Sequence, residues 1–157
     1  MEFRVAHVDS PQAVALLDAY FSSRELGFVG GQYKVVRPQR SVFEPPAGVF
    51  LLVLDDAGAP VGCGGIRRIA DADDGAIRYE VKHLYLRPET RGRGWGRAIL
   101  DELETRAAGF GAARVVLDTN ATLTAAGGLY RSAGYRSVEP YNDNPNATNW
   151  YAKDLSV

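Results

Sequence analysis

Between Arg78 and Leu117 the chain reads, in order, as a β-rich run, a glycine-rich loop, an amphipathic helix and a short apolar strand. That order limits the fold more than any other feature, because strand, helix and strand in succession join as a right-handed parallel crossover. One parallel strand pair is therefore expected here. The loop itself is Arg91-Gly92-Arg93-Gly94-Trp95-Gly96-Arg97. Its alternate glycines let backbone N–H groups crowd toward one point. The helix predicted from Gly96 brings its positive dipole end to the same point. With three arginines interleaved, the loop suits a polyanionic, phosphate-bearing ligand.

The rest of the chain supplies an antiparallel frame. Phe3, Val5 and His7 alternate with polar residues and predict a first strand. Ser10-Pro11 opens a helix, with a capping hydroxyl and proline at the first helical position. Val14, Leu16, Leu17, Tyr20, Phe21 and Arg24 follow helical spacing, and Gly27 ends it. Residues 28–48 are broken by glycines and prolines, with a short helix at Gln39 to Phe43; an irregular stretch of that length is often functional. Val49 to Leu54, Val61 to Ile69 and Arg78 to Leu86 predict three strands of a meander, separated by acidic turns.

The helix from Gly96 to Ala108 places Ile99, Leu100, Leu103 and Ala107 inside and Asp101, Glu102, Glu104 and Arg106 outside. Val115 to Leu117 is a buried strand. Thr122 to Ala133 predicts a helix weakened by Gly127-Gly128, and Tyr135 to Val138 and Asn149 to Leu155 are final strands. The expected fold is a single α/β (α+β) domain over residues 1–157. It has a mixed, mostly antiparallel sheet of about six to seven strands and helices on both faces.

At 157 residues the chain is long enough to bury about two-thirds of its surface. A net charge of −1 argues against general nucleic-acid binding, so the arginines form a local positive spot. Met1 to His7 carries no apolar signal core, and no apolar run approaches the roughly 20 residues of a membrane span. A cytoplasmic protein without membrane or nucleic-acid partners is expected. The single cysteine, Cys63, excludes an intramolecular disulfide and a multi-cysteine metal site, and no metal is expected.

Several loops share a glycine-rich character. A dinucleotide turn needs G-x-G-x-x-G, but the residue three after Gly94 is Arg97, and Arg87 to Thr90 separate the loop from its strand. A nucleoside-triphosphate loop needs Gly-Lys-Ser/Thr, which is absent. A plain turn with solvated arginines must accept the entropy of three glycines. The segment Leu84 to Arg97 resembles instead the acetyl-CoA-binding motif of the GNAT acetyltransferase superfamily, Gln/Arg-x-x-Gly-x-Gly/Ala, with Arg91, Gly94 and Gly96 in the fixed places. Leu129-Tyr130-Arg131-Ser132-Ala133-Gly134-Tyr135 resembles a second hallmark, Leu-Tyr-x-x-x-Gly-Phe/Tyr.

The resemblance implies transfer of an acetyl group from acetyl-CoA to a primary amine by direct attack, with no metal. Gly92, Arg93, Gly94, Trp95, Gly96 and Arg97, with Arg91, would hold the pyrophosphate of coenzyme A. Leu84 and Leu86 would pair with the pantetheine arm, and Asn120 would touch it through its amide. The backbone N–H of Tyr85 or Leu86 would meet the oxyanion. Tyr130 matches the acid beside the departing sulfur, and Glu80, eleven residues before Arg91, is the candidate base. His83 has a suitable intrinsic pKa, but strand alternation puts it opposite Glu80.

The acceptor is expected between residues 28–48 and Pro140 to Trp150, which offer Tyr33, Phe43, Glu44, Tyr141, Asn142, Asp143, Asn144 and Trp150. Aromatics with one or two acids suit a small amine-bearing molecule or peptide. A non-catalytic module that binds coenzyme A or its acyl esters is the alternative, and a homodimer is compatible with the sequence.

Overall fold

The structure, a computed structural model, describes residues 1–27, 33–120 and 124–155. Along the chain the elements are β1 (Glu2–Val5), α1 (Pro11–Gly27), β2 (Gly48–Leu54), β3 (Pro60–Ile69), β4 (Arg78–Leu86), α2 (Trp95–Gly109), β5 (Arg114–Thr119), α3 (Thr124–Ser132), β6 (Arg136–Val138) and β7 (Asn149–Asp154). Short 3-10 turns lie at Arg40–Phe43 and Pro88–Thr90. The first was expected as a short helix; the second, made where Pro88 stops β4, was not. The expected α3 start at Thr122 and the opening of the 28–48 segment lie outside the described residues.

The strands form one sheet in the order β1-β2-β3-β4-β5-β7-β6. Every pairing is antiparallel except β4 with β5, which is the parallel pair that the α2 crossover requires. The mixed, mostly antiparallel sheet of the sequence reading is therefore present. β2 is buried at every residue. Its Phe50, Leu52 and Leu54 pack with Leu16, Leu17 and Phe21 of α1, while Val49, Leu51 and Val53 pack with Ile99, Leu100 and Leu103 of α2. Burial on both faces explains its continuous apolar run.

The local signal holds at the start of α1. The Ala13 N–H donates to Ser10 Oγ at 3.4 Å, so Ser10 caps α1. Two side chains depart from the expected faces. Val14 is 38% exposed, because the buried stripe of α1 runs through Ala13, Leu16, Leu17 and Phe21. Glu104, expected outside, lies one turn from Leu100 on the inner face. There it accepts from Tyr135 Oη at 2.9 Å and pairs with Lys153 Nζ at 2.7 Å, which satisfies its charge. No helix among the described residues is long and apolar enough to cross a membrane.

Two irregularities of β4 shape the site. Cys63 pairs with Tyr85 but Gly65 pairs with Lys82, so Gly64 alone faces both His83 and Leu84. His83 sits in this bulge at φ 58, the one positive-φ non-glycine among the described residues. Such a bulge bends the strand and resets its side-chain alternation. The parallel β4–β5 pairing then stops at Glu80 with Val116. Beyond it β4 stays with β3 and β5 stays with β7, leaving a wedge between the two strands.

Candidate active site

The wedge opens into a cavity of about 960 Å³ that passes from one side of the sheet to the other. One end is lined by Leu84, Leu86, Arg91, Gly96, Leu129 and Tyr130. The Arg87 N–H donates to Val61 O at 2.8 Å, so strand alternation turns the Tyr85 N–H toward β3 and the Leu86 N–H toward the wedge. Of the two candidate oxyanion donors, only Leu86 points into the cavity. Its carbonyl faces the same way and accepts from Arg91 Nη2 at 3.3 Å.

The glycine loop has the conformation its composition demands. Gly92 (φ 81) and Gly94 (φ 76) are both left-handed, and Gly94 is the N-cap of α2. Ala98 makes the first intrahelical bond, to Gly94 O, so the N–H groups of Trp95, Gly96 and Arg97 precede the ladder. A Cβ on Gly96 would stand 3.4 Å from Leu129 and 3.7 Å from Leu86, which shows how closely β4, α2 and α3 converge.

The three arginines separate in space. Arg91 lines the cavity. Arg93 lies over the Trp95 ring at 5.4 Å, and that ring packs against the α2 core cluster. Arg97 turns to Asp101 at 3.0 Å and to Ser132 O at 3.5 Å. Tyr130 is 7% exposed and packs against Tyr135 and Tyr151. Burial pushes its hydroxyl up to about 12, so it stays protonated. Asn120 does not line the cavity; it is buried and donates to Asn146 O at 3.2 Å.

Glu80 is 1% exposed and fully engaged. Oε1 accepts from Arg67 Nε at 2.9 Å and Nη2 at 2.8 Å, while Oε2 accepts from the Tyr141 hydroxyl and stands 3.6 Å from Lys82 Nζ. Lys82 continues to Asp118 at 3.0 Å, and Asp118 also accepts from Asn142 at 2.7 Å and Asn144 at 3.2 Å. Burial alone would raise the Asp118 carboxyl, but the Lys82 ammonium and these amides outweigh it and hold it below its ordinary range. Trp150 Nε1 donates to Asn142 Oδ1 at 2.9 Å. Tyr141, Asn142, Asn144 and Trp150 thus tie the segment after β6 to the sheet.

Arg67, Lys82 and Asp118 were not singled out as site residues by the sequence. The signal was available in part: Lys82 is two residues from Glu80 on the same strand face. Arg67 requires the β3–β4 register, in which it pairs with Glu80. Glu44 stands apart, bound to Arg40 at 2.7 Å.

The bulge corrects the position expected for His83. It lies on the Glu80 and Lys82 side of the sheet, edge-on to Tyr20 at 5.5 Å and Phe21 at 5.7 Å, because the extra residue reverses the alternation after Lys82. Burial, and then the Lys82 and Arg67 charges, push its imidazole down to about 3. Its Nδ1 is enclosed and has no hydrogen-bond partner among the described residues. An unfolded chain takes up this proton near pH 6.5, whereas the folded chain resists it down to about 3. Stability should therefore fall as pH drops through that window. His83→Asn tolerates the positive φ and does not titrate, so it should flatten the slope of urea-unfolding free energy between about pH 7 and pH 4. An unchanged slope would remove His83 as its source.

Cys63 is buried beneath the bulge, and its thiol, pushed up to about 12 by burial, donates to His83 O at 3.3 Å. That is the environment of an inert thiol.

The profile of the Acetyltransferase (GNAT) family matches residues 14–135, which include both the glycine loop and Tyr130. Over 121 residues the chain is 34% identical to an uncharacterized N-acetyltransferase of Schizosaccharomyces pombe, covering 77% of this chain and 71% of the relative. An acetyltransferase of the GNAT family from Staphylococcus aureus superposes with a TM-score of 0.78 at 16% identity, covering 99% of this chain and 100% of that one. A GNAT superfamily phosphinothricin acetyltransferase from Sinorhizobium meliloti, solved in complex with AcCoA, gives 0.68 at 19% identity, covering 98% and 88%. At those identities the two structures speak for the fold. The wedge, the loop and the matched span agree: this chain belongs to the GNAT family of acetyltransferases.

Proposed function

We propose that the protein is an N-acetyltransferase that moves an acetyl group from acetyl-CoA to a primary amine by direct attack. The observation that carries this reading is one continuous cavity. It joins the free edge of β4 at Leu86, the N-terminus of α2 at Gly96 and the Tyr130 side chain to a polar chamber between α1 and the segment after β6. A bare nucleotide site would not need the second chamber.

When bound, acetyl-CoA supplies an acyl carbon with a thiolate leaving group. Arg91 and the N–H groups of Trp95, Gly96 and Arg97 suit its pyrophosphate. Leu84 and Leu86 present backbone groups to its amide-rich arm, and the Leu86 N–H meets the carbonyl oxygen where negative charge develops. As the N–C bond forms, the C–S bond breaks. An acceptor that arrives as an ammonium releases two protons, one ending on sulfur and one in solvent. Tyr130 retains its proton at working pH and offers it to the departing sulfur.

Glu80 is assigned a positioning role, because Arg67, Lys82 and Tyr141 already engage both its oxygens. His83, neutral and hard to protonate, cannot store the amine's proton near neutrality. That proton leaves through water at the cavity mouth.

Thiol release with acetyl-CoA and a panel of amines tests the reading. Tight binding of coenzyme A without thiol release on any amine would instead mark a binding module. Tyr130→Phe should lower kcat by about a hundredfold while leaving acetyl-CoA affinity within about threefold. An unchanged rate would take Tyr130 out of the chemistry.

A further inference from the structure

The chamber farther from the glycine loop has an unbalanced lining. Setting Arg91 aside, its charged lining residues among those described are Arg24, Lys34, Arg37, Arg67 and Lys82 against Asp118 and Asp143. Asp118 is already satisfied by Lys82, Asn142 and Asn144, and Asp143 is exposed. Among the described lining residues only exposed Asp143 lies outside that network, so the buried part of the chamber offers no spare acid for an ammonium group. The cations are placed differently. Arg67 uses Nε and Nη2 on a single oxygen of buried Glu80, which fixes its guanidinium plane while Nη1 is not engaged by that carboxylate. Its side chain keeps 38% exposure and lines the cavity. Lys82 is anchored beside it.

The His83 imidazole, pushed down first by burial, is pushed down further by the Lys82 and Arg67 charges beside it. Next to these cations the wall becomes apolar, with Phe21, Val42 and Phe43. A pre-oriented guanidinium beside an ammonium recognises a carboxylate, and an apolar wall takes up a hydrophobic group.

Building on the acetyltransferase reading above, we propose that the acceptor is an amino-carboxylate with an apolar or aromatic side chain. Arg67 and Lys82 hold its carboxylate, and Phe21, Val42 and Phe43 receive the side chain. The amine is thereby presented to the wedge between β4 and β5. Lys34, exposed among the lining residues, adds to the field that draws the anion in, whereas Arg37 is paired with Asp18 and lies over the Phe21 ring.

The test is a comparison of matched acceptors in the thiol-release assay. L-Phenylalanine is set against L-phenylalaninamide and phenethylamine, and L-methionine against its amide. The acids should exceed the partners that lack a carboxylate by at least about tenfold in kcat/KM, the size expected of one charge-assisted contact. Because Arg67→Gln alone would leave Glu80 buried without its partner, the variant is the double substitution Arg67→Gln with Glu80→Gln, its folding checked by thermal melting. In it the acid-to-amide ratio should fall, through KM for the acids, with Lys82 keeping part of the preference.

Amides or simple amines acetylated as well as the acids by the unmodified protein would overturn the carboxylate assignment and leave the acetyltransferase reading standing. A double variant that melts cooperatively and keeps its preference for acids undiminished would also overturn it. Thiol release on no amine at all would overturn both readings together.

Discussion

Gly94→Val should weaken acetyl-CoA binding by at least about a hundredfold in a calorimetric titration, while the far-ultraviolet spectrum of the folded chain is retained. Gly94 holds φ 76 at the N-cap of α2. A side chain there costs roughly 1–2 kcal/mol in the left-handed region, and a β-branched one more. Nothing among the described residues lies within 4 Å of the added Cβ, so the cost is not a clash with the core. It is a distortion of the loop, together with a side chain that obstructs the helix N-terminus. Moving two or three backbone donors away from the pyrophosphate loses contacts of about 1.5–3 kcal/mol each when the partner is charged, and about 2.7 kcal/mol is a hundredfold. Gly94→Ala should show a smaller loss in the same direction. Unchanged affinity in both variants would mean that the loop does not hold phosphate.

Glu80→Ala should destabilise the fold by roughly 2–4 kcal/mol, read from urea unfolding at neutral pH. The carboxylate is 1% exposed, and its removal leaves Arg67 and Tyr141 without their acceptor and Lys82 with Asp118 alone. The loss stays below that of a fully enclosed pair, because the Arg67 side chain is 38% exposed and water can reach it. Glu80→Gln keeps the shape and part of the hydrogen bonding, so it should cost less. Its pH–rate profile decides the role of Glu80. A profile of unchanged shape with lower activity fits positioning; loss of the limb on the acidic side would restore Glu80 as the base.

The glycine-loop end of the candidate site was legible because it depends on local rules. Three alternate glycines before an amphipathic helix can be read from neighbours in sequence, and so can Tyr130 five residues before Tyr135. The opposite end of the cavity was not legible in the same way. Arg67 and Glu80 are thirteen residues apart, and Tyr141 is sixty-one residues from Glu80. Their meeting depends on strand register and on the course of the segment after β6. Neither leaves a periodic trace in the sequence.

Within its own residues the sequence determined the element order, the parallel crossover and the conformation of the glycine loop, since each follows from φ preferences, hydrophobic period and connection handedness. Tertiary structure decided the rest. The bulge at His83 is one extra residue set by pairing with β3, and it moved His83 across the sheet. The wedge exists because β4 and β5 part company after three paired residues. Strand alternation alone could not foresee either outcome, because register is fixed by the packing of both faces at once.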